Sequence, residues 1–342
     1  MKWKKRIYIW IILSLSVQCL ALFYINRYFS NTDSKATTRR VDLDKHKQTK
    51  KNNINVPVNA KKILVSYDAE YLSYYVNGEL KIVNCKDGNI KNVEGEEGSK
   101  IYFCKWLPDR NRMFLVEKKS NNESSKSVLY SYDTAEGNKA KIIDLPLVDA
   151  KSEVDNIKLS ILTGVIYIKA SSDGERSNIY RIERMKHMAK VNTIPKHVSN
   201  MLLTRREDNL VYEGSVYNKI YATHFKEHIR IEGIDKLTLI GSEDDDKIYV
   251  GELNNGLVSK VYYGKISEDT SKWMSLDIKK PSEKNNLFVS SIGNVYQNDA
   301  LKGVLTEINS ETETKYEGEL LELYNEGIVC LANNKISFVT FK

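Results

Sequence analysis

The stretch EYLSYYVNGELKIVNCKDGN, Glu70 to Asn89, decides the fold. Tyr71, Leu72, Tyr74, Tyr75 and Val76 form a run of strand-favouring residues. Asn77-Gly78 is the dipeptide that most readily takes the positive φ angles of a two-residue hairpin turn, and Leu80, Ile82 and Val83 then resume the strand. A lone hairpin is marginal in water because it cannot bury its own faces. The fold therefore depends on whether this unit recurs.

It recurs. KILVSYDAEYLSYYVNGELKIVNCKDGNIKNV is followed by KIYFCKWLPDRNRMFLVEKKSNNESSKSVLYSYDTAEGNKAKIIDL, each with four short strand-like runs set apart by turn residues. A third unit begins at Asn156, a fourth at Val198, a fifth at Lys236 and a weaker sixth at Asn285, together filling residues 61 to 318. The tail, residues 319–342, has only three strand-like runs, and NINVPVN at residues 53–59 is placed to supply the missing one. A period of about forty residues with four strands per unit is the pattern of a β-propeller, in which each blade buries its faces against its neighbours around an axis. The expectation is an all-β propeller over residues 54–342 with seven blades, although six or eight also satisfy the spacing. Closure by residues 53–59 would hide the free sheet edges of an open array.

Two of the units carry a further likeness. SYDAEYLSYYVNGELKIVN and KWLPDRNRMFLVEK resemble degenerate forms of the Ser/Trp-x-Pro-Asp-Gly-x-x-Ile-x-Tyr repeat of TolB-like propellers and of the propeller domain of dipeptidyl peptidases, with Trp106, Pro108 and Asp109 matching best. The first unit lacks the repeat's Pro and Gly at the corresponding positions, having Asp68, Ala69 and Glu70, and later units keep only the spacing. The resemblance implies that Asp68 and Asp109, with Trp106 and Pro108, anchor turns between strands and do not catalyse. A fold-level likeness of this kind is compatible with many functions.

Ahead of the repeats, MKWKKR at residues 1–6 precedes the uncharged run IYIWIILSLSVQCLALFYI, Ile7–Ile25. A helix of this length spans roughly 28 Å, close to the ~30 Å hydrocarbon core of a bilayer. No small-x-small cleavage site follows it, so an uncleaved signal-anchor is expected rather than a removed signal peptide. The basic start places residues 1–6 in the cytoplasm and the remainder outside it, against the opposing pull of Arg27, Lys35, Arg39 and Arg40. Residues 26–53 are polar, charged and without apolar periodicity, which reads as a flexible basic tether.

Charge is divided unevenly. The chain carries +7, but residues 1–58 hold 8 Lys and 4 Arg against 3 Asp, a net of +9, which leaves −2 for the rest. A folded part without basic excess lacks the electrostatic footprint that nucleic-acid binding requires. Cys85, Cys104 and Cys330 lie in apolar strand contexts and read as small buried hydrophobes, with a Cys85–Cys104 bridge left open.

Catalytic signals are few. HFKEH, residues 224–228, matches H-x-x-E-H, in which two His and a Glu on a helix bind Zn²⁺ and activate water. Here His224, Glu227 and His228 sit in alternating, β-branched surroundings, so a solvated hairpin end is the preferred reading. SEDDDK, residues 242–247, lacks the ligand spacing of a calcium loop. Neither a G-x-S-x-G elbow nor a phosphate-cradling P-loop is present in the sequence. The aromatic residues, among them Tyr102, Tyr130, Tyr167, Tyr180, Tyr212 and Tyr249, fall at alternating strand positions suited to packing between blades.

The resulting expectation is a single-pass membrane protein with an extracytoplasmic propeller. It would act without cofactor as a non-enzymatic protein- or ligand-binding scaffold of a bacterial cell envelope, its partner an envelope protein, a peptide or a wall polymer. The alternative is an envelope hydrolase or lyase of propeller type acting on peptides or sugars.

Overall fold

The computed structural model describes residues 53–341 apart from 122–123, 148–150 and 172–175, and ahead of them Trp3, Arg6, Trp10, residues 13–20 and Leu22. The chain divides into two units, residues 1–49 and 50–342. In the first, the described residues are helical and exposed. Much of the expected Ile7–Ile25 anchor and nearly all of the 26–53 tether lie outside the described residues. Among the described residues no helix is long and apolar enough to cross a membrane.

The second unit is a seven-bladed β-propeller. Seven antiparallel sheets form the blades, and in the first six the strands lie in sequence order, so each is a meander running from an inner strand outward. The decisive hairpin is the middle of the first blade. Tyr71–Val76 pairs with Glu79–Asn84 in unbroken register from Tyr71 opposite Asn84 to Val76 opposite Glu79. Asn77 at φ 54° and Gly78 at φ 85° turn the corner, both positive as the twist-matched two-residue turn demands.

The ring closes as the tail's deficit implies. The last three strands, Glu319–Tyr324, Gly327–Ala332 and Lys335–Thr340, are completed by Ile54–Asn55, with Ile54 opposite Ile336 and Asn55 opposite Lys335. The seventh blade therefore takes its outermost strand from the start of the domain. The backbone N–H of Val56 extends the pairing by donating to the carbonyl of Asn334 at 2.8 Å.

The core is partitioned between blades. Strand alternation sends successive side chains to opposite faces of each sheet. In Arg112–Asn121 of the second blade, Met113 and Leu115 pack toward the first blade, whereas Phe114 and Val116 pack toward the third. The same division gives seven apolar clusters, one at each junction of adjacent blades. The closing junction joins Ile54, Val56, Tyr324, Val329 and Ile336 of the last blade to Val65, Leu72, Tyr74, Val83 and Cys85 of the first. Tyr130, Tyr167, Tyr180, Tyr212 and Tyr249 are all buried in these layers. Cross-strand stacking adds to them, with Tyr249 and Tyr263 4.9 Å apart and Tyr212 and Tyr221 5.6 Å apart. Cys85, Cys104 and Cys330 are buried free thiols, so the open Cys85–Cys104 bridge is not formed.

One expectation of the repeat pattern fails. The fourth blade has three strands, Val198–Leu203, Leu210–Gly214 and Lys219–Ala222, and no fourth. The residues that would have formed it turn away after Ala222, returning only through an isolated bridge in which Ile229 donates to the carbonyl of Ile220 at 2.7 Å. The run THFKEHIRIEGI has apolar residues at Ile229, Ile231 and Ile234 but places charges between and before them. Ile231 instead joins the junction with the fifth blade.

Candidate functional site

Each inner strand is parallel to the next around the axis, and six of the seven carry an irregularity in their pairing with the second strand. The register slips between Lys61 and Leu64, Ile101 and Phe103, Val154 and Asn156, Val198 and Met201, Leu239 and Gly241, and Leu320 and Glu322. An inserted residue bends the strand and re-aims the side chains beyond it. Beyond these slips the strands frame a cavity of about 290 Å³ at the end of the channel where the inner strands finish.

Six blades contribute to its wall. Leu64, Lys105, Lys158 and Leu202 each occupy the penultimate position of their inner strand, in blades one to four, and all four line the cavity. Ser242 enters from blade five and Glu322 from blade seven, with Tyr67 at the rim. Two lysines on adjacent strands thus share one chamber with a carboxylate from across the ring. Among the described residues neither lysine forms an ion pair or hydrogen bond with Glu322 within bonding distance.

Electrostatics follow from this setting. Removal from bulk water, assisted by repulsion from Lys105 and opposed by Glu322, pushes the Lys158 ammonium down to about 8. Burial likewise raises the Glu322 carboxyl, against the pull of Lys105 and Lys158. Glu322 is nonetheless exposed along the channel and the two lysines are half-buried, so solvent screens all three. The energies are accordingly smaller than for sealed charges.

A lysine whose folded pKa lies near 8 against ~10.4 in a free chain opposes folding fully below pH 8 and progressively less up to pH 10. Lys158→Met is therefore expected to stabilise the protein by about 1–3 kcal/mol at pH 7 and to flatten the rise in stability between pH 8 and pH 10. Thermal melts of both forms at pH 7 and pH 10 check this, and a variant that melts lower at pH 7 contradicts it.

The opposite end of the channel opens into a cleft of about 1050 Å³ between blades one, two and three. Lys62, Glu153 and Asp155, near the starts of their strands, line it with Tyr75, Phe103 and Lys105. Lys105 reaches both cavity and cleft.

Around the cavity, the turns that follow the inner strands are tied to one another. Asn111 Nδ2 donates to Asp68 Oδ2 at 2.8 Å, Asp246 accepts from the backbone N–H groups of Arg205 and Arg206, and Ser291 Oγ contacts Asn325 Oδ1 at 3.3 Å. Tyr249 donates to the Glu243 carboxylate at 2.7 Å, and its hydroxyl lies 3.1 Å from the carbonyl of Gly293. Gly293 has φ +88°, and a Cβ there would fall 1.9 Å from Glu243 Oε2, so only glycine fits.

The residues singled out in the sequence are dispersed. Asp68 accepts from Ser66 Oγ and the Glu70 N–H, both at 2.9 Å, and so holds its own turn while bonding the next blade through Asn111. Trp106 Nε1 donates to Ser73 Oγ at 3.1 Å and its ring stacks on Tyr71, joining blades one and two. Pro108 lines the cavity, and Asp109 pairs with Arg110. His224 Nε2 donates to the carbonyl of Asp208 at 3.0 Å, Glu227 pairs with Arg230, and the His228 ring meets Tyr221 edge-on. Burial and the nearby Arg230 and Lys219 push the His228 imidazole down. All three stand in the outer loop of blade four, away from the channel. Among the described residues no group of three or more His, Cys, Asp or Glu could hold a metal ion.

Lys105, Lys158 and Glu322 escape a reading of motifs because they lie in three different blades. Their one local signal is a charge set in an apolar run, as in FCKWL, NIKLSIL and LLELY.

No family model matches the chain, and no curated protein matches it. Among solved structures, a prolyl endopeptidase matches with a TM-score of 0.54 at 10% identity over 75% of this chain and 42% of its own. The chain thus spans about two-fifths of that endopeptidase. A chain of the mitotic checkpoint complex matches with a TM-score of 0.54 at 10% identity, covering 86% of this chain and 95% of its own. The β-propeller domain of Myceliophteria thermophila Cps50 (Swd1) matches with a TM-score of 0.52 at 11% identity, covering 85% and 100%. Similarity at this level of identity establishes the propeller fold alone.

Proposed function

We propose that this protein is a membrane-anchored, extracytoplasmic β-propeller that serves as a non-enzymatic binding or scaffolding module of the cell envelope. The observation that carries this reading is the channel. A closed, hydrogen-bonded ring holds side chains from six blades around one cavity and opens at its other end into a polar cleft. Preorganised concave surfaces of this kind are where ligands and partners bind. The uncharged Ile7–Ile25 run behind a basic start supports the anchor, and the +9 of residues 1–58 suits contact with anionic lipid heads or anionic wall polymers. The degenerate repeat at Trp106, Pro108 and Asp109 supports kinship with TolB-like propellers.

The rival reading, an envelope hydrolase or lyase acting on peptides or sugars, is favoured by one observation. Lys158 and Glu322, an ammonium made more acidic and a carboxylate made more basic, face a common chamber. A photo-crosslinking residue at Asp155, in the open cleft, separates the two when the full chain is expressed in cells. A saturable covalent adduct with an envelope protein, peptide or polymer supports the binding module. Turnover of a peptide or glycan by the purified full chain, abolished in Glu322→Gln, overturns it. The address is tested by protease treatment of intact cells carrying an epitope after Lys342, where loss of the epitope is the expected result and protection until lysis contradicts it.

A further inference from the structure

We infer that the chamber at the turn end of the channel is a binding site for a small carboxylate ligand whose other end donates hydrogen bonds, an amino acid or hydroxy acid in class. This rests on the reading of the propeller as a binding module and names what the module takes.

Three observations meet here. Lys105 and Lys158 stand at the same level of adjacent inner strands and both line the chamber, so a carboxylate seated there meets two ammonium groups. Glu322 faces the same space from blade seven, with Leu64 of blade one between it and Lys105 in the order of the ring, so the acceptor lies apart from the donor pair. None of the three is neutralised by another among the described residues, although elsewhere in this domain enclosed charges are paired closely. Glu117 receives Lys139 and Ser99, and Lys169 donates to the carbonyls of Val198 and Ser199 at 2.9 and 3.0 Å.

Lys105 and Lys158 are half-buried without partners, a costly setting for an ammonium, and a ligand carrying the opposite charge relieves it. The net charge of the chamber is +1 when all three groups are ionised, which favours an anion over a cation. Its volume of about 290 Å³ corresponds to about ten waters at ~30 Å³ each, which suits a molecule of amino-acid size. Leu64 and Leu202 flank the lysines and offer an apolar wall for a short side chain.

The charged groups that face Lys158 are Lys105 and Glu322, with the Tyr67 hydroxyl group at the rim. Because Lys158 loses its proton near pH 8, affinity for the ligand is expected to fall as the pH rises through that value.

The test is calorimetric titration of the full chain in detergent with L-alanine, L-lactate, propionate and inorganic phosphate. Alanine and lactate are expected to saturate below ~10 mM and propionate to bind several-fold more weakly, a range that calorimetry reads directly. Lys105→Met and Lys158→Met should each weaken alanine at least tenfold without lowering the melting temperature. Glu322→Gln should instead abolish the preference of alanine over propionate while strengthening propionate, a change that a merely structural role would not produce. The proposal is overturned if none of the four probes saturates, if phosphate binds as tightly as alanine, or if Glu322→Gln leaves the preference intact. Crosslinking at Asp155 persists if only this inference fails, and is lost as well if the binding-module reading fails.

Discussion

A chain carrying Ile54→Asp and Val56→Asp is expected to lose about 5 kcal/mol or more of stability and to associate through its seventh blade. Both residues are nearly inaccessible and pack among Tyr324, Val329 and Ile336 on one side and Val65, Leu72 and Tyr74 on the other. Truncating one such side chain typically costs about 2–5 kcal/mol, and placing an unpaired carboxylate there adds to it. A domain's total stability is only about 5–15 kcal/mol, so the pair of substitutions approaches the whole of it. With Ile54–Asn55 displaced, Lys335–Thr340 becomes an open edge with unpaired N–H and C=O groups, a template for another chain. Urea unfolding followed by size-exclusion chromatography reads both effects. A midpoint close to that of the parent chain, with no larger species, would contradict the role given to this strand.

The second large effect lies at Glu213. Its carboxylate, 2% exposed, sits on the second strand of blade four and accepts from Thr238 Oγ1 at 3.2 Å and the Leu239 N–H at 3.1 Å, both on the inner strand of blade five. Lys284, from the segment leading to blade six, donates to it at 3.2 Å. One side chain thus fastens three successive blades. Removing one partner of a buried charged network costs about 3–5 kcal/mol, because the remaining groups stay desolvated. Glu213→Ala is expected to lose that much, and Lys284→Met clearly less, since that side chain retains 36% of its surface. The double variant should fall short of the sum, and a double-mutant cycle by urea unfolding measures the shortfall. Strict additivity would mean that Lys284 does not act through Glu213.

The ring was legible in the sequence because its physics is local. Asn77-Gly78, Asn255-Gly256 and Asn333-Asn334 each turn a hairpin with both residues at positive φ, and dipeptides of this kind can be recognised without any tertiary information. The deficit of one run after Glu319, matched by a surplus before Lys61, was enough to imply circular closure. Blade four departs from the repeat because Ile229 and Ile231 look like a strand in isolation, whereas Ile231 is claimed by the junction with the next blade. Context of that kind overrides local preference.

The candidate site was not legible, for a different reason. Lys105, Lys158 and Glu322 are separated by 53 and 164 positions and are brought together only by closure of the ring. The register slips that aim them inward leave no mark in composition, since the inserted residues are as varied as Tyr102, Asp155 and Leu321. HFKEH shows the converse. Its spacing matched a metal motif, yet the loop that holds it pairs His224 with a backbone carbonyl and Glu227 with Arg230.

Closure of the seventh blade by the start of the domain holds the ring together, and one cross-link tests it. Asn55 and Lys335 are opposed across the two strands and both exposed. The flanking pair is bonded through Val56 N–H to Asn334 O, which makes Asn55 and Lys335 a non-hydrogen-bonded pair with Cα atoms roughly 4.5–5.5 Å apart, within disulfide reach. In a chain with Cys19→Ser, Asn55→Cys and Lys335→Cys are predicted to form an intramolecular disulfide on mild oxidation of the folded protein, giving a faster-migrating species that reverts on reduction and melts at a higher temperature. Free thiols at both positions after oxidation, or cross-links only between chains, would contradict the closed ring.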